Sequence, residues 1–202
     1  MSITGNVAKD LALAGIRGQY SIGVTTGLLV AGTNGELFQF RWSDLTRIAA
    51  IRRVMVAAVA CTPFAASPAT APVIQLIKAT GWTVQGSGGA IVDVSTGVGQ
   101  RRTQTPPSLV QSGDMNIATT AGLTGGTKAL EARSFARVVG SPLSAASGHV
   151  VPPTELIDCE SSQLDYPLLL TTNEGFVASM SSNPGTGTMV VSVQVEWMEL
   201  NG

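Results

Sequence analysis

Between Met189 and Trp197 the chain reads MVVSVQVEW, and the alternation is strict. Val191, Val193, Val195 and Trp197 fall on one side of an extended chain, and Ser192, Gln194 and Glu196 on the other. A period of two makes a half-buried antiparallel strand with a wet outer face. Residues 36–42 (ELFQFRW) repeat the pattern, with Phe38, Phe40 and Trp42 opposite Leu37, Gln39 and Arg41. This aromatic row is the clearest core-facing edge in the sequence. Gly and Pro clusters punctuate the apolar runs, which predicts strands near residues 19–25, 36–42, 53–60, 73–78, 90–94, 115–119, 128–138, 168–171, 175–180 and 188–198. Asn34-Gly35 carries the signature of a type I′ hairpin turn, and the glycines between 86 and 89 read as a second hairpin-like turn. Short strands at such spacing predict an all-β sandwich or barrel.

Two stretches are harder to read. Residues 47–60 (RIAAIRRVMVAAVA) place Ile48, Ile51, Met55 and Val59 on a helical stripe, but β-branched residues and the closing Pro63 favour a strand. Residues 141–153, rich in Ser, Gly and Pro, read as a long loop holding the sole histidine. With no repeat and no dividing linker, the 202 residues are expected to form an N-terminal arm over 1–17 and one β-sandwich domain over 18–202.

Composition narrows the function classes. Twelve Lys and Arg against 13 Asp and Glu leave a net charge of −1, so no strong field draws nucleic acid or acidic lipid. Charged residues are 12% of the chain, about half the usual share. The polar surface must be built from hydroxyls and backbone, given 18 serines and 21 threonines. Apolar runs are too short to span a bilayer, and Lys9 and Asp10 interrupt where a secretion signal would be hydrophobic. Neither nucleic acid nor membrane is an expected partner.

The inventory for catalysis is thin. His149 is the only histidine, so any Ser-His-Asp or Cys-His mechanism must pass through it, and a solvated loop histidine is the simpler reading. Cys61 and Cys159 are too far apart in sequence, and too lacking in companions, to suggest a zinc site. Two buried free thiols are expected, although one disulfide is possible on paper. Asp158, Glu160 and Asp165 cluster in a segment read as a loop, without the spacing of a calcium loop. The glycine-rich GSGGAIVDVSTGVG has no Lys-Ser/Thr ending and no following helix, so it is not a phosphate cradle. Arg52 and Arg53, on alternate faces of a strand, should not form one patch, whereas Arg101 and Arg102 lie in a polar loop free to meet a partner. Leu11, Leu13 and Ile16 form an apolar segment suited to packing on a partner as well. No catalytic residue, cofactor or metal is expected.

The C-terminal run DYPLLLTTNEGFVASMSSNPGTGTMVVSVQVEWMEL resembles the closing segment of a group of tailed-bacteriophage virion proteins. ELFQFRW, ATGWTVQGSGGA and IATTAGLTGGTKAL extend the similarity to about half of the chain. The resemblance implies a jelly-roll-like β-sandwich and a non-enzymatic capsid decoration (cement) protein, or less directly a head-fibre or tail component. The implied partners are the major capsid protein and the chain itself, as a homodimer or homotrimer. The implied place is the outer capsid surface of a virion made in the host cytoplasm. The rival expectation is a glycan-binding, lectin-like module of a fibre or tail, which would need an aromatic platform on its surface.

Overall fold

The computed structural model describes residues 15–62, 71–94, 99–100, 105–141, 148–159, 166–182 and 186–201. They form two antiparallel sheets packed as a sandwich, with twelve strands and no helix among the described residues. The strands are β1 (Ile16–Thr25), β2 (Gly35–Trp42), β3 (Arg47–Thr62), β4 (Val73–Val84), β5 (Gly89–Ile91), β6 (Met115–Ala118), β7 (Thr127–Leu130), β8 (Ala136–Val139), β9 (Gly148–Asp158), β10 (Leu168–Leu170), β11 (Glu174–Ser182) and β12 (Thr188–Asn201). The first sheet runs β1-β12-β3, with β9 and β10 sharing the far flank of β3. The second runs β5-β6-β2-β11-β4, with β7 and β8 sharing the far flank of β4.

The pairing is nested. β1 pairs with β12, β2 with β11, β3 with β9 and β10, and β4 with β7 and β8. Each connection from β1 through β4, and again from β10 through β12, therefore crosses from one sheet to the other. This corrects the hairpin reading of Asn34-Gly35: Gly35 does take a positive φ of 93°, but the turn carries the chain between sheets. The glycines near 86–89 lead from β4 to β5 within one sheet, but the two do not pair, since the partner of β5 is β6.

The core lies where alternation put it. Phe38, Phe40, Trp42, Val193, Val195 and Trp197 are all buried between the sheets. Tyr20 stacks on Trp197 with centroids 5.3 Å apart, Phe40 stacks on Phe176 at 5.5 Å, and Phe40 meets Trp197 edge-on at 5.7 Å. These offset and edge contacts tie both sheets at one point. Residues 47–60 are strand, as the β-branched content favoured, and β3 is the longest strand among the described residues.

Two bulges overturn details that a strict period implied. In β2, Ala178 faces Phe38 but Ser179 faces Glu36, so Leu37 is the extra residue, and it joins Phe38 in the core. In β3, Glu196 faces Arg53 and Trp197 faces Ile51, leaving Arg52 extra. Ile51 and Val54 both enter the core, so Arg52 and Arg53 do not sit on alternate faces as expected. The outer face of β12 is wet only in part: Ser192 is exposed, Gln194 half-buried and Glu196 buried.

The expected strand over 128–138 is two, β7 and β8, because the chain lifts off the flank of β4 between them. The expected loop over 141–153 ends early, since β9 begins at Gly148 and carries His149 opposite Val59. Pro152 and Pro153 hid this strand, and β9 tolerates them because it lies on a sheet edge and its register slips there. Asp158 closes β9 opposite Arg53, while Glu160 and Asp165 fall outside the described residues. Cys61 is exposed and Cys159 half-buried, so the expectation of two buried thiols fails. Cys61 and Thr62, the last two residues of β3, are both exposed.

Candidate functional site

Of the residues expected to meet partners, Leu11, Leu13, Arg101 and Arg102 lie outside the described residues. Ile16 opens β1 opposite Leu200 and is half-buried, so the sheet begins inside the segment read as an arm. Arg17 follows and is fixed to the sandwich. Among the described residues, no three His, Cys, Asp or Glu side chains gather as metal ligands. The polar chemistry of the described residues instead gathers around three of the four buried carboxylates.

Glu199 is the deepest of them. Its Oε2 accepts from Arg17 Nη1 at 2.6 Å, and its Oε1 accepts from the Ser108 hydroxyl at 2.6 Å and the Leu109 N–H at 2.8 Å. The loop read as exposed around Pro106 and Pro107 is thereby anchored, and Ser108 is buried. Tyr20 donates its hydroxyl to the Pro106 carbonyl at 2.9 Å. Burial, and then the Glu199 charge, push the Tyr20 phenol up to about 12. The raised value means the folded chain holds that proton more tightly than the unfolded chain does. Stability tied to it is complete below pH 10 and is lost as pH rises toward 12. Alkaline melts should show this loss in the wild type and a shallower one in Tyr20→Phe; parallel curves for the two proteins would refute it.

Asp114 is the second. It accepts from Arg41 Nε at 2.8 Å, from the Ser43 hydroxyl at 2.5 Å and from the Gln111 N–H at 3.0 Å. At the β10–β11 crossing, burial raises the Glu174 carboxyl. The Thr171 N–H and hydroxyl and the Lys78 ammonium outweigh that effect and hold it below the usual glutamate range. Its contribution to stability is present above that range and is lost as pH falls through the folded value.

The third carboxylate belongs to the most elaborate cluster, on the outer face of the second sheet. Ala79, Trp82 and Val177 form a small second core there, with Ile77 against it. The bulge at Leu37 turns both Glu36 and Gln39 to this side, although a regular strand would send residues three apart to opposite faces. Glu36 Oε2 accepts from Lys128 Nζ at 2.8 Å and from Gln39 Nε2 at 2.5 Å. Lys128 also donates to the Gly125 carbonyl and lies 4.4 Å from the centroid of the Trp82 ring, a cation–π contact. Gln39 donates to the Thr124 carbonyl at 2.9 Å and accepts from the Gly86 N–H at 3.1 Å. Gln39 is fully buried and the Lys128 side chain is 2% exposed. Gly86 fits only because it has no side chain: a Cβ there would run into the Thr124 carbonyl and the Gln39 amide. Gly86→Ala should therefore lower the melting temperature markedly, and an unchanged melt would show that the loop can yield.

Sequence reading missed this cluster, since Lys128 sits 92 residues from Glu36 in a segment read only as turn and strand. The available signal was a Lys, a Glu and a Gln within strand patterns of a chain that spends charge sparingly.

An open groove of about 520 Å³ lies beside β8. Arg133, Phe135 and Arg137 alternate along it, all exposed, with Gln75 in the wall. Compared with family models, with curated proteins and with solved structures, the chain matches none.

Proposed function

We propose that this chain is a non-enzymatic structural protein of a tailed-phage virion. It decorates the capsid, packing on the major capsid protein and on copies of itself. The observation that carries this reading is the character of the surface: Leu45, Ile91 and Val139 are 82%, 61% and 58% exposed on a protein with scarce charge. Apolar side chains among hydroxyls and few ions suit repeated contacts, because little charge must be stripped of water when neighbours close over them. Three of the four buried carboxylates among the described residues, Glu199, Asp114 and Glu36, are engaged in holding loops and strands, which accords with a structural role. The nested order, first strand with last and second with next-to-last, supports a jelly-roll reading of the sandwich, with β5 and β6 extending one sheet.

The test is binding to intact heads lacking decoration. Saturable binding that raises the temperature at which heads open is expected, since a ligand of the assembled state stabilises it by mass action. No binding to heads would overturn the reading. Removal of residues 1–14 should weaken attachment more than it weakens the fold. Removal through residue 17 is a poorer test, because it also strips Arg17 from Glu199. A truncated protein that binds heads as tightly as the full chain would refute the arm as a contact.

One observation favours a second reading, a glycan-binding module. The groove beside β8 offers an exposed Phe135 flanked by Arg133 and Arg137, a small aromatic platform of the kind a sugar ring requires. A glycan array giving signal that Phe135→Ala abolishes, with no binding to heads, would put this reading first.

A further inference from the structure

We propose that Lys128 and Gln39 are joined by a self-formed isopeptide bond across the outer face of the second sheet. Glu36 carries the protons and ammonia is the leaving group. The inference rests on four groups arranged as a reacting set, and it is independent of the virion reading.

A lysine amine attacks a carboxamide only if it loses a proton, reaches the carbonyl carbon, and finds help for both the oxyanion and the departing nitrogen. The proton carrier and the oxyanion donor are in place here, and the amine and the amide meet on one carboxylate oxygen. One oxygen, Glu36 Oε2, holds both the Lys128 amine, at 2.8 Å, and the Gln39 amide nitrogen, at 2.5 Å. The nucleophile and the leaving group thus share a single proton carrier. The Gly86 N–H, 3.1 Å from Gln39 Oε1, points at the atom where negative charge develops. The Thr124 carbonyl fixes the amide plane by accepting from Nε2 at 2.9 Å. Trp82 covers the amine from above, and the burial of all three reacting side chains keeps water from competing. The bulge at Leu37, by which Glu36 and Gln39 share a face, is the backbone device that assembles the set.

The step balances without any external reagent. Lys128 passes one ammonium proton to Glu36, which turns a buried ion pair into a neutral amine and acid. Nζ then bonds to Cδ of Gln39, and the tetrahedral oxyanion is held by the Gly86 N–H. Glu36 returns its proton to Nε2 and takes the second proton from Nζ. The Cδ–Nε2 bond breaks, and ammonia departs with that proton as ammonium, leaving Glu36 a carboxylate and Nζ an amide nitrogen. Nothing is oxidised or reduced.

The experiment is intact mass spectrometry of the purified, folded full-length chain after denaturation, beside Lys128→Arg and Glu36→Gln. Arginine keeps a cation for Glu36 and Trp82 but supplies no attacking amine, so that variant preserves the ion pair while blocking the reaction. The expected result is a wild-type mass below the sequence mass by one ammonia. A branched tryptic peptide should contain both Gln39 and Lys128, and both variants should show their full sequence masses. A wild type at full sequence mass overturns the proposal. So does loss of one water, which would put the bond on Glu36, and so does an ammonia loss that persists in Lys128→Arg.

Discussion

Phe40→Ala and Trp197→Ala should each leave little soluble protein. Both side chains are fully enclosed, and their edge-on contact at 5.7 Å is where the two sheets meet. Phe40 also stacks on Phe176 and Trp197 on Tyr20, so either truncation opens a cavity lined by rigid rings that cannot collapse into it. Loss of a buried aromatic costs about 3–5 kcal/mol, against about 5–15 kcal/mol for a whole domain. Denaturant melts of whatever protein is recovered would measure the loss. Unchanged midpoints in both variants would place these rings outside the core.

Glu199→Ala should be comparably damaging by a different route. It removes the acceptor for three donors, the Arg17 guanidinium, the Ser108 hydroxyl and the Leu109 N–H, at a site with no exposure to water. The Ser108 hydroxyl and the Leu109 N–H are then left without that acceptor, and a buried donor so stranded costs about 1–3 kcal/mol. Arg17 is partly exposed and can turn to solvent, so Arg17→Ala leaves the carboxylate stranded instead, while the double variant strands neither. The double variant should therefore be more stable than the sum of the two single losses implies. Strict additivity in chemical denaturation would show that the pair does not act as a unit.

The sequence made the faces of strands legible but not their neighbours. Alternation in MVVSVQVEW and ELFQFRW correctly named the buried side of β12 and most of β2, because that period is imposed by backbone geometry at each residue. Which strand lies beside which depends on contacts made far along the chain, and turn residues misled there. Asn34-Gly35 has hairpin chemistry, yet its flanking strands belong to different sheets. Bulges were invisible for a related reason. An extra residue at Leu37 or Arg52 appears only in the register against a partner, and it reverses every facing assignment on one side of it. β9 was lost behind Pro152 and Pro153, which argue against a central strand but are tolerated at an edge. The Glu36, Gln39 and Lys128 cluster needed both a bulge and a long-range pairing, and so lay beyond local pattern.

Nested pairing has a consequence for how the polypeptide is made. Of the described strands β1 leaves the ribosome earliest, and its strand partner, β12, follows only after all the others. β3 presents sixteen residues of mostly apolar chain, RIAAIRRVMVAAVACT, whose longest ladder is also with β12. During synthesis that segment has two open edges and no inner face to lie against, the condition under which nascent chains associate with one another. Folding dominated by such distant contacts is slow once release occurs. Production of this protein should therefore improve more from slower translation, lower temperature and added holdase chaperone than from any substitution that stabilises the finished sandwich.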